Sequence, residues 1–153
     1  MQRIVALDPG GTTGIATVRF DDGGYEWSFS ELGPYEHHDE LWEFLYNTCK
    51  PWTTGSTIVC ESFEFRQNRQ RDNINLMSRE YIGVVKLFRA ILNVPVVFQT
   101  AGMAKPFVTD EKLKAMDLYY TRSKHARDAT RHALYYMITK LKRHDLIESW
   151  KDL

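Results

Sequence analysis

The sequence predicts an α/β fold: a mixed five-stranded sheet, three antiparallel strands followed by two parallel ones, flanked by helices. Three patterns carry that expectation. The apolar run Ile4-Val5-Ala6-Leu7 ends on Asp8 and breaks into Pro9-Gly10-Gly11, with Ile15-Ala16-Thr17-Val18 close behind. A buried strand wants such a run, and Pro-Gly-Gly ends it. Tyr25, Trp27 and Phe29 then alternate with Glu26, Ser28 and Ser30, the period of a half-exposed strand, which completes an antiparallel meander. Finally, Ile58-Val59-Cys60 and Val96-Val97-Phe98 are separated by a long helical pattern, a βαβ unit with parallel strands and a right-handed crossover.

At 153 residues the chain is expected to be one domain, residues 1–153, with a single well-covered core. A composition of 43% hydrophobic and 26% charged residues excludes a disordered chain. No run approaches the roughly 18 apolar residues of a membrane span, and residues 4–7 are too short for the apolar region of a signal peptide. Cys49 and Cys60 lack metal-ligand spacing, so both are read as reduced thiols of a cytoplasmic protein. No tail or recruitment motif identifies a protein partner.

In order along the chain, a helix is expected over about residues 37–49, with Leu41, Phe44, Leu45 and Thr48 on one face. His37 and His38 are adjacent near its start and point in different directions, so a shared metal site is not expected. Residues 51–56 read as a loop, and the strand after it ends on Glu61. A helix over about residues 72–92 carries Ile74, Met77, Tyr81, Val84, Val85, Phe88, Ile91 and Leu92 at spacings of three and four, and stops at Asn93-Val94-Pro95. The strand at Val96 enters a loop at Thr100-Ala101-Gly102. Thr109 caps a helix running to about residue 120. Ser123 caps the final helix, which runs to about residue 142. There Ala126, Ala129 and Ala133 form a small-residue face suited to close approach to the sheet. His125, Asp128 and His132, spaced three and four apart, share another face.

The candidate chemistry starts from two core strands that each deliver an acid at their end, Asp8 and Glu61. Singly, each reads as a turn or hydrogen-bonding residue; together they point to a site. A Walker A loop is excluded because no lysine follows Gly14. The formal net charge of zero hides an asymmetry: residues 1–65 hold three Lys/Arg against eleven acids, whereas residues 66–144 hold sixteen against six. A basic half of that size suggests a polyanion partner. Phe63 and Phe65 lead into Arg66-Gln67-Asn68-Arg69-Gln70-Arg71, an exposed basic loop whose aromatics suit stacking on unpaired bases or, equally, the edge of the core.

This arrangement resembles the RuvC-type Holliday junction resolvases of the RNase H-like superfamily over nearly the whole chain. Leu7-Asp8-Pro9-Gly10, Val59-Cys60-Glu61 and His125-Ala126-Arg127-Asp128-Ala129 carry the resemblance. Many members have a carboxylate where His125 stands, although histidine is also found there. The family's lysine before the final helices maps to Lys105, and the aromatic that stacks at the junction maps to Phe63 or Phe65.

The resemblance implies an RNase H-like nuclease that nicks Holliday junctions or other branched DNA by hydrolysis, in recombination, repair or the processing of replicated DNA. Its catalytic and metal-binding set would be Asp8, Glu61, His125 and Asp128, holding two Mg²⁺ ions, with Mn²⁺ substituting. Asp8 would bridge the ions, Glu61 and Asp128 would bind one each, and His125 would ligate or position water. Two such ions roughly 4 Å apart both activate water and stabilise the leaving oxygen. Without metal, clustered carboxylates repel, so raised pKa values are expected. Phe63, Phe65, Arg66, Arg69, Arg71, Lys105, Lys124, Arg127 and Arg131 would contact nucleic acid. A two-fold symmetric junction calls for a homodimer, with the helix over residues 72–92 as the candidate interface. The alternatives are an RNase H-like or ribosomal-RNA-processing nuclease of the same fold and a non-catalytic junction-binding protein. A sugar-kinase or actin-like ATPase would need two such domains.

Overall fold

The computed structural model describes residues 1–49, 55–63 and 76–153. Strands β1 (Gln2–Asp8), β2 (Thr13–Asp21) and β3 (Gly24–Leu32) form the antiparallel meander, while β4 (Ser56–Glu61) and β5 (Val96–Gln99) join as parallel strands. The sheet order is β3-β2-β1-β4-β5, so the three-plus-two arrangement is met. Helices α1 (His38–Thr48) and α2 (Met77–Leu92) cover one face. The other face is covered by α3 (Ala101–Phe107), α4 (Asp110–Ala115), α5 (Lys124–Thr139) and a closing 3₁₀ turn, His144–Trp150.

β1 lies at the centre, which explains why its apolar run is unbroken. Ile4 and Ala6 face α5 with Ala16, Val18 and Val59, whereas Val5 and Leu7 face α1 and α2 with Ile15, Ile58 and Cys60. Every residue from 4 to 7 is at most 1% exposed, and each large side chain so buried is worth about 1.5–3 kcal/mol. The period of two then fixes where the strand-end acids point. Asp8 follows Ile4 and Ala6 onto the α5 face, and Glu61 follows Val59 onto the same face.

α5 lies close against the sheet because both surfaces are small. Ala126, Ala129 and Ala133 are fully buried. At Gly14, paired with Asp8 across β1 and β2, a Cβ would sit 2.0 Å from the His125 carbonyl carbon and oxygen. Only glycine allows the two backbones to meet there. That contact sets the start of α5 beside the end of β1.

Three expectations change. Where a loop is expected at Thr100-Ala101-Gly102, Thr100 is the N-cap of α3, and Pro106 is tolerated in the last turn of that helix. The helix capped by Thr109, whose hydroxyl accepts from the Lys112 amide, ends at Ala115 instead of near residue 120, because Asp117 turns left-handed at φ 57°. α5 ends at Thr139, three residues early. The start of the helix expected over residues 72–92, with Ile74, lies outside the described residues. Within α2, Tyr81, Val85 and Phe88 are buried, but Ile91 is 60% exposed and Leu87 54%. Among the described residues, no helix is long and apolar enough to cross a membrane.

Candidate active site

Asp8, Glu61 and Asp128 converge at the carboxyl ends of β1 and β4, beneath the first two turns of α5. The strand alternation and the Gly14 contact bring them there from positions 53 and 67 residues apart in the chain. Lys105, from α3, lies within ion-pair distance of two of them: its Nζ is 3.1 Å from Asp128 Oδ2 and 3.5 Å from Glu61 Oε2. His125 presents Nδ1 to Asp8 Oδ2 at 3.7 Å and stays half-exposed. The four residues expected to form the catalytic set are therefore brought together, with Lys105 among them.

Burial is the main force on Asp8. Together with the negative charges of Glu61 and Asp128 and a side-chain hydrogen bond to Glu61, it outweighs Lys105 and pushes the Asp8 carboxyl up to about 8. Glu61 behaves in the opposite way. Burial alone would raise it, but the hydrogen bond from His132 and the charge of Lys105 hold it below the ordinary carboxylate range. The expectation of raised values thus holds at Asp8 and fails at Glu61, because Glu61 has acquired dedicated partners. Lys105 is held above its ordinary value: burial works against the ammonium form, and the three carboxylates together prevail.

His132 is the residue that sequence reasoning underused. It is fully buried, with Nδ1 2.9 Å from Gln99 Oε1 and Nε2 2.8 Å from Glu61 Oε2. Gln99 stands opposite Glu61 in the β4–β5 register, so strand pairing aims the amide at the ring. The signals were present: His132 follows Asp128 by one helical turn, and Gln99 ends the neighbouring parallel strand. Asp128 is likewise tied by its second oxygen, Oδ1, to Arg131 Nε at 3.2 Å. Arg131 also donates to the Val108 carbonyl at 2.8 Å and pairs with Asp110.

The residues expected to meet nucleic acid are dispersed more widely. Lys105, Lys124 and Arg131 line a cleft of about 320 Å³ with Thr109, Asp110 and Asp128. The Arg127 guanidinium lies over the Tyr119 ring at 4.7 Å and donates to the Tyr120 carbonyl at 2.9 Å. Phe63 packs against the core beneath α2, with the Arg79 guanidinium 6.0 Å from its ring centre. Phe65, Arg66, Arg69 and Arg71 lie outside the described residues. His37, which was not expected to share a metal with His38, is buried and meets Thr13 Oγ1 at 2.7 Å, while His38 pairs with Glu80 at 2.9 Å.

The donor set suits a hard divalent cation: three carboxyl groups lie together, and burial with the charges of Glu61 and Asp128 makes ionisation of Asp8 unfavourable without more positive charge than Lys105 supplies. Among the described residues, however, no three His, Cys, Asp or Glu side chains are gathered at metal-ligand spacing. Lys105 occupies the position against Glu61 and Asp128 instead.

No family model matches the chain, and no curated protein matches it in sequence. Solved structures do match in shape. RuvC from Thermus thermophilus in complex with a Holliday junction substrate aligns at a TM-score of 0.62 and 15% identity, covering 98% of this chain and 97% of that one. A second Thermus thermophilus RuvC structure aligns at 0.61 and 17% identity, covering 88% and 93%. At these identities the likeness is one of fold: the mixed five-stranded sheet with its flanking helices is the RNase H-like arrangement of RuvC.

Proposed function

We propose that the chain is a metal-dependent, structure-selective endodeoxyribonuclease that nicks Holliday junctions or related branched DNA, acting as a homodimer. The observation that carries the reading is the convergence of Asp8, Glu61 and Asp128 on one face of the sheet, where burial, with the charges of Glu61 and Asp128 added, pushes the Asp8 carboxyl up to about 8. A fold has little reason to gather two strand-end acids and a third from a helix in one largely buried cluster unless their charge is used. The fold shared with a RuvC that was solved on a Holliday junction substrate supports branched DNA as the substrate class.

Asp8, Glu61 and Asp128 would hold Mg²⁺ or Mn²⁺, two ions per site, with His125 as a further ligand or as the group that orients water. When bound, the cations supply Lewis-acid activation of water and stabilise charge on the leaving oxygen. The protein's own residues do the rest. His132, fixed by Gln99, holds Glu61 in one orientation and keeps it ionised. Arg131 holds Asp128 in one orientation. His125, half-exposed and 3.7 Å from Asp8 Oδ2, would meet an arriving backbone phosphate. Phe63, Lys105, Lys124, Arg127 and the segment with Phe65, Arg66, Arg69 and Arg71 would supply the nucleic-acid surface, whereas Arg131, tied to Asp110, Asp128 and the Val108 carbonyl, positions Asp128 instead. The exposed Leu87 and Ile91, one turn apart on α2, supply the apolar centre of the dimer interface.

The test is a comparison of three labelled substrates in Mg²⁺ and in Mn²⁺: a synthetic four-way junction, an RNA–DNA hybrid and a structured RNA. Preferential nicking of the junction is expected. Preference for the hybrid or the RNA would assign the same fold to a different nuclease, and junction binding without any cleavage would make the protein a binder only.

A further inference from the structure

We infer that Lys105 is a built-in counter-cation that occupies the carboxylate cluster in the metal-free protein and must leave it when a divalent cation enters. The inference rests on the reading of the cluster as a metal site and adds a regulatory step to it. Its basis is geometric. The Lys105 ammonium is 3.1 Å from Asp128 Oδ2 and 3.5 Å from Glu61 Oε2, two of the three oxygen donors proposed for the metal. A lysine has three donors on one compact charge and can satisfy several carboxylate oxygens at once. A divalent cation drawn to the same oxygens would meet an ammonium already there. Both cannot sit against Glu61 and Asp128, because like charges at such range repel.

The surroundings show that Lys105 can depart while the other partners cannot. Its side chain is 39% exposed, whereas those of Arg131 and His132 are 11% and 0% exposed. Arg131 is also tied to Asp110 and to the Val108 carbonyl, and His132 to Gln99. Lys105 borders the open cleft shared with Lys124 and Thr109, so its flexible stem can swing the ammonium out of the cluster without moving α3. In that position it faces the route by which a backbone phosphate would reach Asp8. Metal entry therefore releases a cation toward the substrate, and a phosphate that captures Lys105 clears the carboxylates for metal. The two ligands must then favour one another reciprocally.

The test uses Lys105→Gln, which removes the charge and keeps a polar side chain, with Lys140→Gln at the far end of α5 as a control for charge removal in general. Mn²⁺ binding to the DNA-free protein is followed by the spin-resonance signal of the free ion, and thermal unfolding is measured in chelator and in saturating Mn²⁺. Lys105→Gln should bind Mn²⁺ about tenfold more tightly than wild type, the scale of losing one or two partly exposed ion pairs. It should also unfold at a lower temperature than wild type in chelator and at the same temperature in Mn²⁺. Lys140→Gln should match wild type in affinity. Damage to the fold alone would not tighten metal binding. Unchanged or weaker Mn²⁺ affinity in Lys105→Gln, with wild type binding normally, overturns the counter-cation role and leaves the metal site standing. No Mn²⁺ binding by either protein overturns both.

Discussion

Gly14→Ala should destabilise the protein and misplace the start of α5, although it adds one methyl group. The added Cβ would lie 2.0 Å from the carbonyl carbon and oxygen of His125 and 2.6 Å from the Ala126 amide nitrogen. Ordinary contact begins near 3.4 Å, so backbone on one side must retreat by about 1.4 Å, and no flexible side chain can give way. Overpacking of this kind costs about 1–3 kcal/mol, which for a chain of this size lowers the melting temperature by roughly 2–4 °C per kcal/mol. Gly83→Ala is the internal comparison. Gly83 is in the middle of α2 with nothing within 4 Å of its Cβ position, so alanine there should add up to about 1 kcal/mol through helix propensity. Urea unfolding followed by tryptophan fluorescence reads both variants. If Gly14→Ala were as stable as wild type, the close approach of β2 to α5, and with it the argument for how the site is assembled, would be wrong.

The remaining expectations concern charge and assembly. Asp8 titrates higher in the folded state, about 8, than its ordinary 3.8, so the fold binds the extra proton. The Asp8 contribution to stability is therefore complete below pH 4 and is lost as pH rises toward 8; in chelator, urea midpoints of wild type should fall relative to Asp8→Asn across that window. Parallel profiles would contradict it. His132→Leu takes away the ring that bridges Gln99 and Glu61 and should cost about 1–3 kcal/mol of stability, with the Glu61 pKa rising. Sedimentation at micromolar concentration should give twice the chain mass for wild type and a monomer for the double substitution Leu87→Glu, Ile91→Glu; a monomeric wild type would remove the proposed interface.

Much of the fold is readable from local pattern because the sheet obeys simple rules. The unbroken run at residues 4–7 reads as a buried strand, the alternation from Tyr25 to Ser30 as a half-exposed one, and the long apolar stripe as a crossover helix; the structure places the first at the centre of the sheet and the second at its edge. The strand-end acids were legible for the same reason: an acid closing an apolar run has nowhere to go but the rim. What escaped depends on tertiary context. Gly102 and Pro106 are loop residues by propensity, yet α3 forms because Ala104 packs into the core, and only the helix carries Lys105 to the carboxylates. His132 looked like one more polar residue on the last helix until the β4–β5 register placed Gln99 beside it. Arg131 was expected to contact nucleic acid, but the turn at Val108 and the start of α4 supply a carbonyl and a carboxylate that enclose it.

The most direct test of the central claim is a strand-by-strand nicking assay on a synthetic four-way junction in Mg²⁺, with wild type and Asp8→Asn side by side. The account predicts paired nicks at symmetry-related positions by wild type and none by Asp8→Asn. Equal nicking by the two proteins, or no nicking by wild type in Mg²⁺ or Mn²⁺, would contradict it.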